Sequence, residues 1–292
     1  MGVKVIADST SYIPRPLRAE LDIQVATLSS LLGGVIYRED DETDEYESFY
    51  EALAASGSFP TTSQPTVADM VALFEAPVAA GHEVVGVFIS ALMSGTHSTA
   101  LLARDMVLEQ HPGATIEVVD GRSNSMELGF AVLAAARAAA AGGSVSEVVG
   151  AAEDMIGRTR FLFAPLTLEY LRRGGRIGNA SALIGTLLKI HPVLTVVDGR
   201  TDQFAKVRTH AKALDTILET FAADIAAKGG LGGVYLHHIH AKEAALAFAE
   251  RIAEAAGRPV ELVPIGPAVG SHVGPGTLGL VYHTNGAMHK AG

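Results

Sequence analysis

Val84-Val85-Gly86-Val87-Phe88-Ile89-Ser90-Ala91-Leu92-Met93-Ser94-Gly95-Thr96-His97-Ser98-Thr99-Ala100 is the stretch that decides the fold class. Its first six residues are uncharged and rich in β-branched side chains, the composition of a strand buried on both faces of a parallel sheet. Ser94 reads as the N-cap of a following helix, whose apolar side is supplied by Ala100, Leu101, Leu102, Ala103, Met106 and Val107. The turn between them offers hydroxyls and Gly95 but no lysine or arginine. Free N–H groups at a helix start, the positive end of its dipole and several O–H donors suit one small anion. A carboxylate fits better than a triphosphate, because the G-x-x-x-x-G-K-[ST] loop and its lysine are absent. Taken alone, Ser94, Thr96 and Ser98 would serve equally well simply to cap and solvate a helix.

Upstream, Val3-Lys4-Val5-Ile6-Ala7 is a first strand, followed by the turn Asp8-Ser9-Thr10-Ser11. No G-x-G-x-x-G follows it, so a dinucleotide site in its usual place is not expected, and Asp8 reads as a cap or turn residue rather than a nucleophile. Ile23 to Leu28 suggests a second strand, and the acidic run from Glu39 to Glu45 a solvated loop without the ligand spacing of a calcium site. A helix is expected over Tyr46 to Ala55. In Thr61-Thr62-Ser63-Gln64-Pro65-Thr66 the proline biases Gln64 toward an extended backbone, presenting Thr62, Ser63 and Gln64 as fixed polar groups ahead of a helix capped by Thr66.

Downstream, Ile116 to Asp120 is another strand, and Gly121-Arg122-Ser123-Asn124-Ser125 leads into a helix that stops at Gly142-Gly143. Ser144 and Glu147 form a capping box for the next helix. This βα alternation implies a mostly parallel sheet flanked by helices, with function at the carboxyl ends of its strands, where Asp8, Ser90 to Ser94 and Asp120 to Ser125 would gather.

The rhythm changes near Arg160, which divides the chain into an N-terminal α/β domain, 1–159, and a C-terminal α/β domain, 160–292. Leu168 to Ile177 reads as a helix ending in a cationic corner, Arg172-Arg173-Gly174-Gly175-Arg176. Leu183 to Leu188 reads as a buried helix, Val193 to Val197 with Gln203 to Arg208 as a hairpin, and Leu214 to Ile225 as an amphipathic helix ending at Gly229-Gly230. His238 and His240 would share one face of a strand, but no third ligand accompanies them and no metal site is expected. A strand over Val260 to Val263 precedes a last segment, Ile265 to Leu280, in which five glycines and two prolines form a constrained loop around His272.

Composition narrows the function. The chain of 292 residues has a formal charge of -10, which argues against nucleic acid or an anionic membrane surface as the main partner. It has no cysteine, which removes disulfides, thiolate catalysis and cysteine-held metals. With 48% hydrophobic residues and a mean hydropathy of +0.28 it has apolar material for a lined cavity, yet no uninterrupted membrane-spanning run and no signal-peptide pattern. A cytoplasmic protein without stable membrane insertion is expected.

Asp8-Ser9-Thr10, Thr62-Ser63-Gln64-Pro65, Ser94-Gly95-Thr96, Arg173-Gly174-Gly175-Arg176-Ile177, Lys206-Val207-Arg208-Thr209 and Gly270-Ser271-His272-Val273-Gly274-Pro275-Gly276 together make the chain resemble the DegV family from Lys4 to about Tyr282. That resemblance implies a bacterial fatty-acid-binding protein, an acyl carrier for a separate fatty acid kinase, and not itself an enzyme. It implies two α/β domains with a lipid tunnel between or within them and no cofactor beyond the bound fatty acid. Carried over by motif, Thr62, Ser63, Ser94, Gly95 and Thr96 would hold the carboxyl group with His272 nearby. Arg173, Arg176 and Arg208 would lie toward the head group or the kinase-docking face. Two departures stand out: Gly121 where the family often has serine, and His97 where an aromatic is common. Burying a chain of about sixteen carbons gains roughly 0.8 kcal/mol per methylene, so neutral hydroxyls need only orient the ligand. A serine acyl hydrolase using Ser94 and His272, with Asp8 or Asp120 orienting the imidazole, is the alternative, although Leu92-Met93-Ser94-Gly95-Thr96 is not a G-x-S-x-G elbow.

Overall fold

The computed structural model describes residues 2–39, 46–186 and 190–288. The chain divides into two compact units, one of Met1–Ser29, Arg38–Asp41 and Thr62–Ile156, the other of Ser30–Tyr37, Glu42–Thr61 and Gly157–Gly292. The second unit takes its long segment from Gly157 onward and two earlier segments as well. The reason is visible on the helix Glu47–Ala55, whose Phe49 and Tyr50 are 1% and 2% exposed. Tyr50 Oη donates to the carbonyl of Ile265 at 2.6 Å, a partner 215 residues away.

The early strands are β1 (Val3–Asp8), β2 (Gln24–Ala26), β3 (Ser29–Leu32), β4 (Val35–Arg38), β5 (Thr61–Ser63), β6 (Glu83–Phe88) and β7 (Ile116–Asp120). In the first unit β2, β1, β6 and β7 form a parallel sheet in that order. Val84 and Phe88 pack with Met70, Phe74, Ala100 and Val107 from the helices Val67–Ala79 and Thr96–Gln110. Strand alternation turns Val85 and Val87 to the opposite face, and both are fully buried. The helix Ser125–Ala140, buried around most of its surface, packs on β1 and β6. Strand order reverses between β1 and β6, so the switch point of this sheet lies at their carboxyl ends. The expected parallel sheet and flanking helices are what the chain forms.

The later strands are β8 (Thr159–Ala164), β9 (His191–Val197), β10 (Arg200–Val207), β11 (Leu231–His238), β12 (Glu261–Pro264) and β13 (Leu278–Thr284). They make a six-stranded sheet in the order β10-β9-β8-β13-β11-β12, antiparallel except for the β11–β12 pair. The helices His210–Ala227 and Lys242–Ala256 cover it with Ile217, Phe221, Phe248 and Ile252. Asp224 ties that layer to the sheet, accepting from Tyr282 Oη at 2.6 Å and pairing with Arg160 at 2.8 Å.

Several expectations need correction. The second strand is only Gln24–Ala26. Glu39 is not solvated: it is 3% exposed and accepts hydrogen bonds from Ser9 Oγ and Tyr12 Oη, both at 2.7 Å, while residues 40–45 lie outside the described residues. A carboxylate with two hydroxyl donors can be buried where an unpaired one cannot. The segment from Gly178 to Thr186 is a 3-10 helix rather than part of an α-helix, and Leu187 and Leu188 lie outside the described residues. His240 is past the end of β11 with φ +46 and stacks on Tyr50, so it does not share a strand face with His238. No helix among the described residues is long and apolar enough to cross a membrane.

Candidate functional site

The candidate residues fall into two groups, one in each unit. In the first unit β6 delivers Ile89 and Ser90 to the switch point, where Asp8 Oδ2, at the end of β1, accepts the Ile89 N–H at 2.6 Å. Asp8 also accepts from Thr10 N at 2.9 Å and caps the short turn Ser9–Ser11, the local role its sequence context indicated. Asp120, at the end of β7, accepts from Ala91 N at 3.2 Å and Arg122 N at 2.9 Å. The entry to the turn, Ile89 to Ala91, is thus held by carboxylates at the ends of the strands on either side of β6.

The helix that follows starts at Thr96, and its N-cap is Gly95, not Ser94. Ser94 sits one position earlier, its Oγ 2.9 Å from Thr96 Oγ1 and 3.3 Å from Thr96 N. Moving the serine out of the cap leaves its hydroxyl paired with a second hydroxyl at the helix start, with no cation in the turn. Thr62 is half-buried and Ser63 exposed at the end of β5. Gln64 follows them and reaches the same turn: its Nε2 donates to Thr99 Oγ1 at 3.2 Å. A Cβ at Gly95 would lie 2.4 Å from Gln64 Oε1, so only glycine lets the carboxamide lie this close to the cap.

In the second unit the helix Glu169–Arg173 ends at Gly174, and Arg176 Nη1 donates back to the Gly174 carbonyl at 2.7 Å. Arg172 pairs with Glu169 at 2.8 Å, whereas the Arg173 guanidinium lies 4.5 Å from the Phe59 ring centroid. His272 lies on a short helix, Pro267–Val273, rather than in a loop, because Pro267 fits the first helical turn and Gly274, at φ +90, ends it. Its imidazole rests on Gly174, where a Cβ would fall 2.2 Å from Nδ1. Burial and the Arg176 charge push its pKa down to about 4, so it is neutral at neutral pH. Arg208 is exposed just past the end of β10.

The family model described as "Uncharacterised protein, DegV family" matches residues 2–285. The chain belongs to the DegV family. A DegV domain-containing protein of Clostridium acetobutylicum is 44% identical over 288 residues, covering 99% of this chain and 100% of its own length. Among solved structures, a DegV family protein from Thermus thermophilus, described for its fatty acid binding, has a TM-score of 0.84 at 32% identity and covers 97% of this chain and 99% of its own. DegV from Bacillus subtilis, described as a fatty acid binding protein, has a TM-score of 0.83 at 30% identity, covering 97% and 99%.

Within this DegV chain glycine at position 121 has a physical reason. Its N–H donates to the Phe88 carbonyl at 2.8 Å, and a Cβ there would lie 2.7 Å from that same oxygen. Nothing in the structure accounts for histidine at position 97. Sequence reasoning overlooked the bracing of the turn by Gln64 and Asp120, although the Thr-Ser-Gln-Pro run was a usable signal for the first.

The two units carry buried groups that titrate in opposite senses. Burial raises Asp8 to about 6, so its contribution is fully present below an unfolded pKa of about 4 and is lost as pH rises through 6. Burial lowers His237 to about 4, so its contribution is present above about 6.5 and is lost as pH falls through 4, and His272 shifts the same way. Between pH 8 and pH 5 the Asp8 shift favours the first unit by about 1 kcal/mol, while His237 alone costs the second about 2 kcal/mol. Hydrogen exchange, corrected for intrinsic rates, is expected to show β11 and β12 losing protection on acidification while β1 and β6 keep theirs. A uniform change across both sheets would contradict this.

Proposed function

We propose that this chain is a non-catalytic carrier that binds a long-chain fatty acid, holds its carboxyl group with neutral hydroxyls, and presents it to a fatty acid kinase in the bacterial cytoplasm. The observation that carries the reading is the head-group turn at the switch point: Ser94 and Thr96 hydroxyls at a helix start, Thr62 and Ser63 on the strand leading to Gln64, and no lysine or arginine in the turn. Such a set orients one carboxylate and would not hold a nucleotide. Fatty acid binding by the Thermus thermophilus and Bacillus subtilis family members supports the ligand class. The acyl chain would be taken into an apolar tunnel. His272 would lie near the head group, and Arg173, Arg176 and Arg208 would face the kinase.

The hydrolase alternative draws less support. Ser94 Oγ is engaged with Thr96 Oγ1, and an imidazole held at about 4 is a weak general base.

Native mass spectrometry with extraction of the bound lipid is expected to find one fatty acid per chain, and no adduct together with no uptake of added palmitic acid would refute the ligand. Ser94→Ala is expected to weaken palmitic acid binding about tenfold, the worth of one hydrogen bond to a charged group. Acyl phosphate formation with a bacterial fatty acid kinase and ATP tests the carrier role, and its absence with a loaded protein would leave a binding protein alone.

A further inference from the structure

Gln64 stands out as a polar side chain that belongs to neither the expected carboxyl contacts nor the fold's core. It is exposed, yet its carboxamide is placed against the head-group turn and the helix that follows it, beside Gly95 and bonded to Thr99 Oγ1 at 3.2 Å. Thr99 is 6% exposed and lies on the first turn of the helix Thr96–Gln110, so it is a fixed anchor. Pro65, buried, follows Gln64 and restricts its backbone. One Nε2 hydrogen is used by Thr99, and Oε1 and the second hydrogen have no hydrogen-bond partner among the described residues. An amide so placed can donate to a carboxylate or accept from a protonated acid.

We propose that Gln64 is a positioning and head-group-selecting residue. It braces Gly95 and Thr99 so that the Ser94–Thr96 hydroxyl pair keeps its geometry, and it presents a neutral amide edge to the ligand's carboxyl group. This rests on the fatty-acid reading above. The neutrality is the selective element, because a carboxylate at position 64 would keep the shape but, being an acceptor only, would lose the bond donated to Thr99 Oγ1 and would repel an anionic head group.

The test compares palmitic acid affinity of wild type, Gln64→Glu and Gln64→Ala at pH 5 and pH 8, with thermal unfolding as a control on folding. Each variant is expressed as a ratio to wild type at the same pH, which cancels the ligand's own titration. For Gln64→Glu the expected loss is about tenfold at pH 8 and about threefold less than that at pH 5, where the new carboxyl is partly protonated. For Gln64→Ala the expected loss is about fivefold and independent of pH. A role only in local folding would give both variants the same pH-independent ratio, and that result, or two variants that bind like wild type, would overturn the inference while leaving the fatty-acid reading intact. Wild-type protein that takes up no palmitic acid would overturn both.

Discussion

Gly270→Ala is expected to destabilise the second unit by about 2–3 kcal/mol, read as a shift in urea midpoint. A Cβ at this position would fall 2.0 Å from Tyr50 Oη. The phenol cannot easily withdraw: Tyr50 is 2% exposed, donates to Ile265 O at 2.6 Å and is stacked on His240 with ring centroids 5.6 Å apart. Overpacking costs about 1–3 kcal/mol and a broken buried hydrogen bond about 1–3 kcal/mol more. Against this, alanine is favoured over glycine within the helix Pro267–Val273 by about 1 kcal/mol, which leaves the steric cost ahead. The clash is with the hydroxyl, so Tyr50→Phe should recover part of the loss when combined with Gly270→Ala. Purely additive effects in that double-mutant cycle would show that the two side chains do not meet.

Asp224→Ala should cost about 2–3 kcal/mol. Its carboxylate serves Arg160 at 2.8 Å and Tyr282 at 2.6 Å, with side-chain exposures of only 17% for the arginine and 14% for the aspartate. Removing it leaves a largely buried guanidinium and a phenol that is 0% exposed without their acceptor. Burial and the same carboxylate raise the Tyr282 pKa, so the hydroxyl stays a donor throughout the working pH range. The comparison is Asp215, whose pairing with Arg251 joins side chains 40% and 45% exposed. Asp215→Ala should cost under about 0.5 kcal/mol, because solvent already screens that pair. Equal losses at the two positions would mean that burial does not distinguish them.

The parallel sheet was legible because buried parallel strands are written as unbroken apolar runs, and Val84 to Phe88 is such a run. The capping box at Ser144 was legible for a similar reason, since both partners lie three residues apart and bond as expected, Ser144 N to Glu147 at 2.8 Å. What could not be read depended on partners distant in sequence. Glu39 looked solvated among other acids, and only the fold brings Ser9 and Tyr12 to it. The cap at Gly95 was mistaken for Ser94 because serine is favoured there, whereas the close approach of Gln64 requires glycine. The hydroxyls of Ser94 and Thr96 could be placed at a helix start from local chemistry, and they meet there at 2.9 Å, whereas the His272 neighbourhood reads as loop in the sequence because its glycines outweigh the proline that starts a helix.

The five changes of unit along the chain bear on how it is made. The helix Glu47–Ala55 leaves the ribosome with Phe49, Tyr50 and Leu53 turned to one side, but the carbonyl that receives Tyr50 is synthesised 215 residues later. At about 5–20 residues per second that is a wait of roughly 10–40 s, in which Phe49 has Tyr37 to pack against but Tyr50 lacks its acceptor. Nascent chains of intermediate length therefore display an apolar surface to chaperones and proteases, and splitting the gene at the apparent domain boundary would strand this helix on the wrong product.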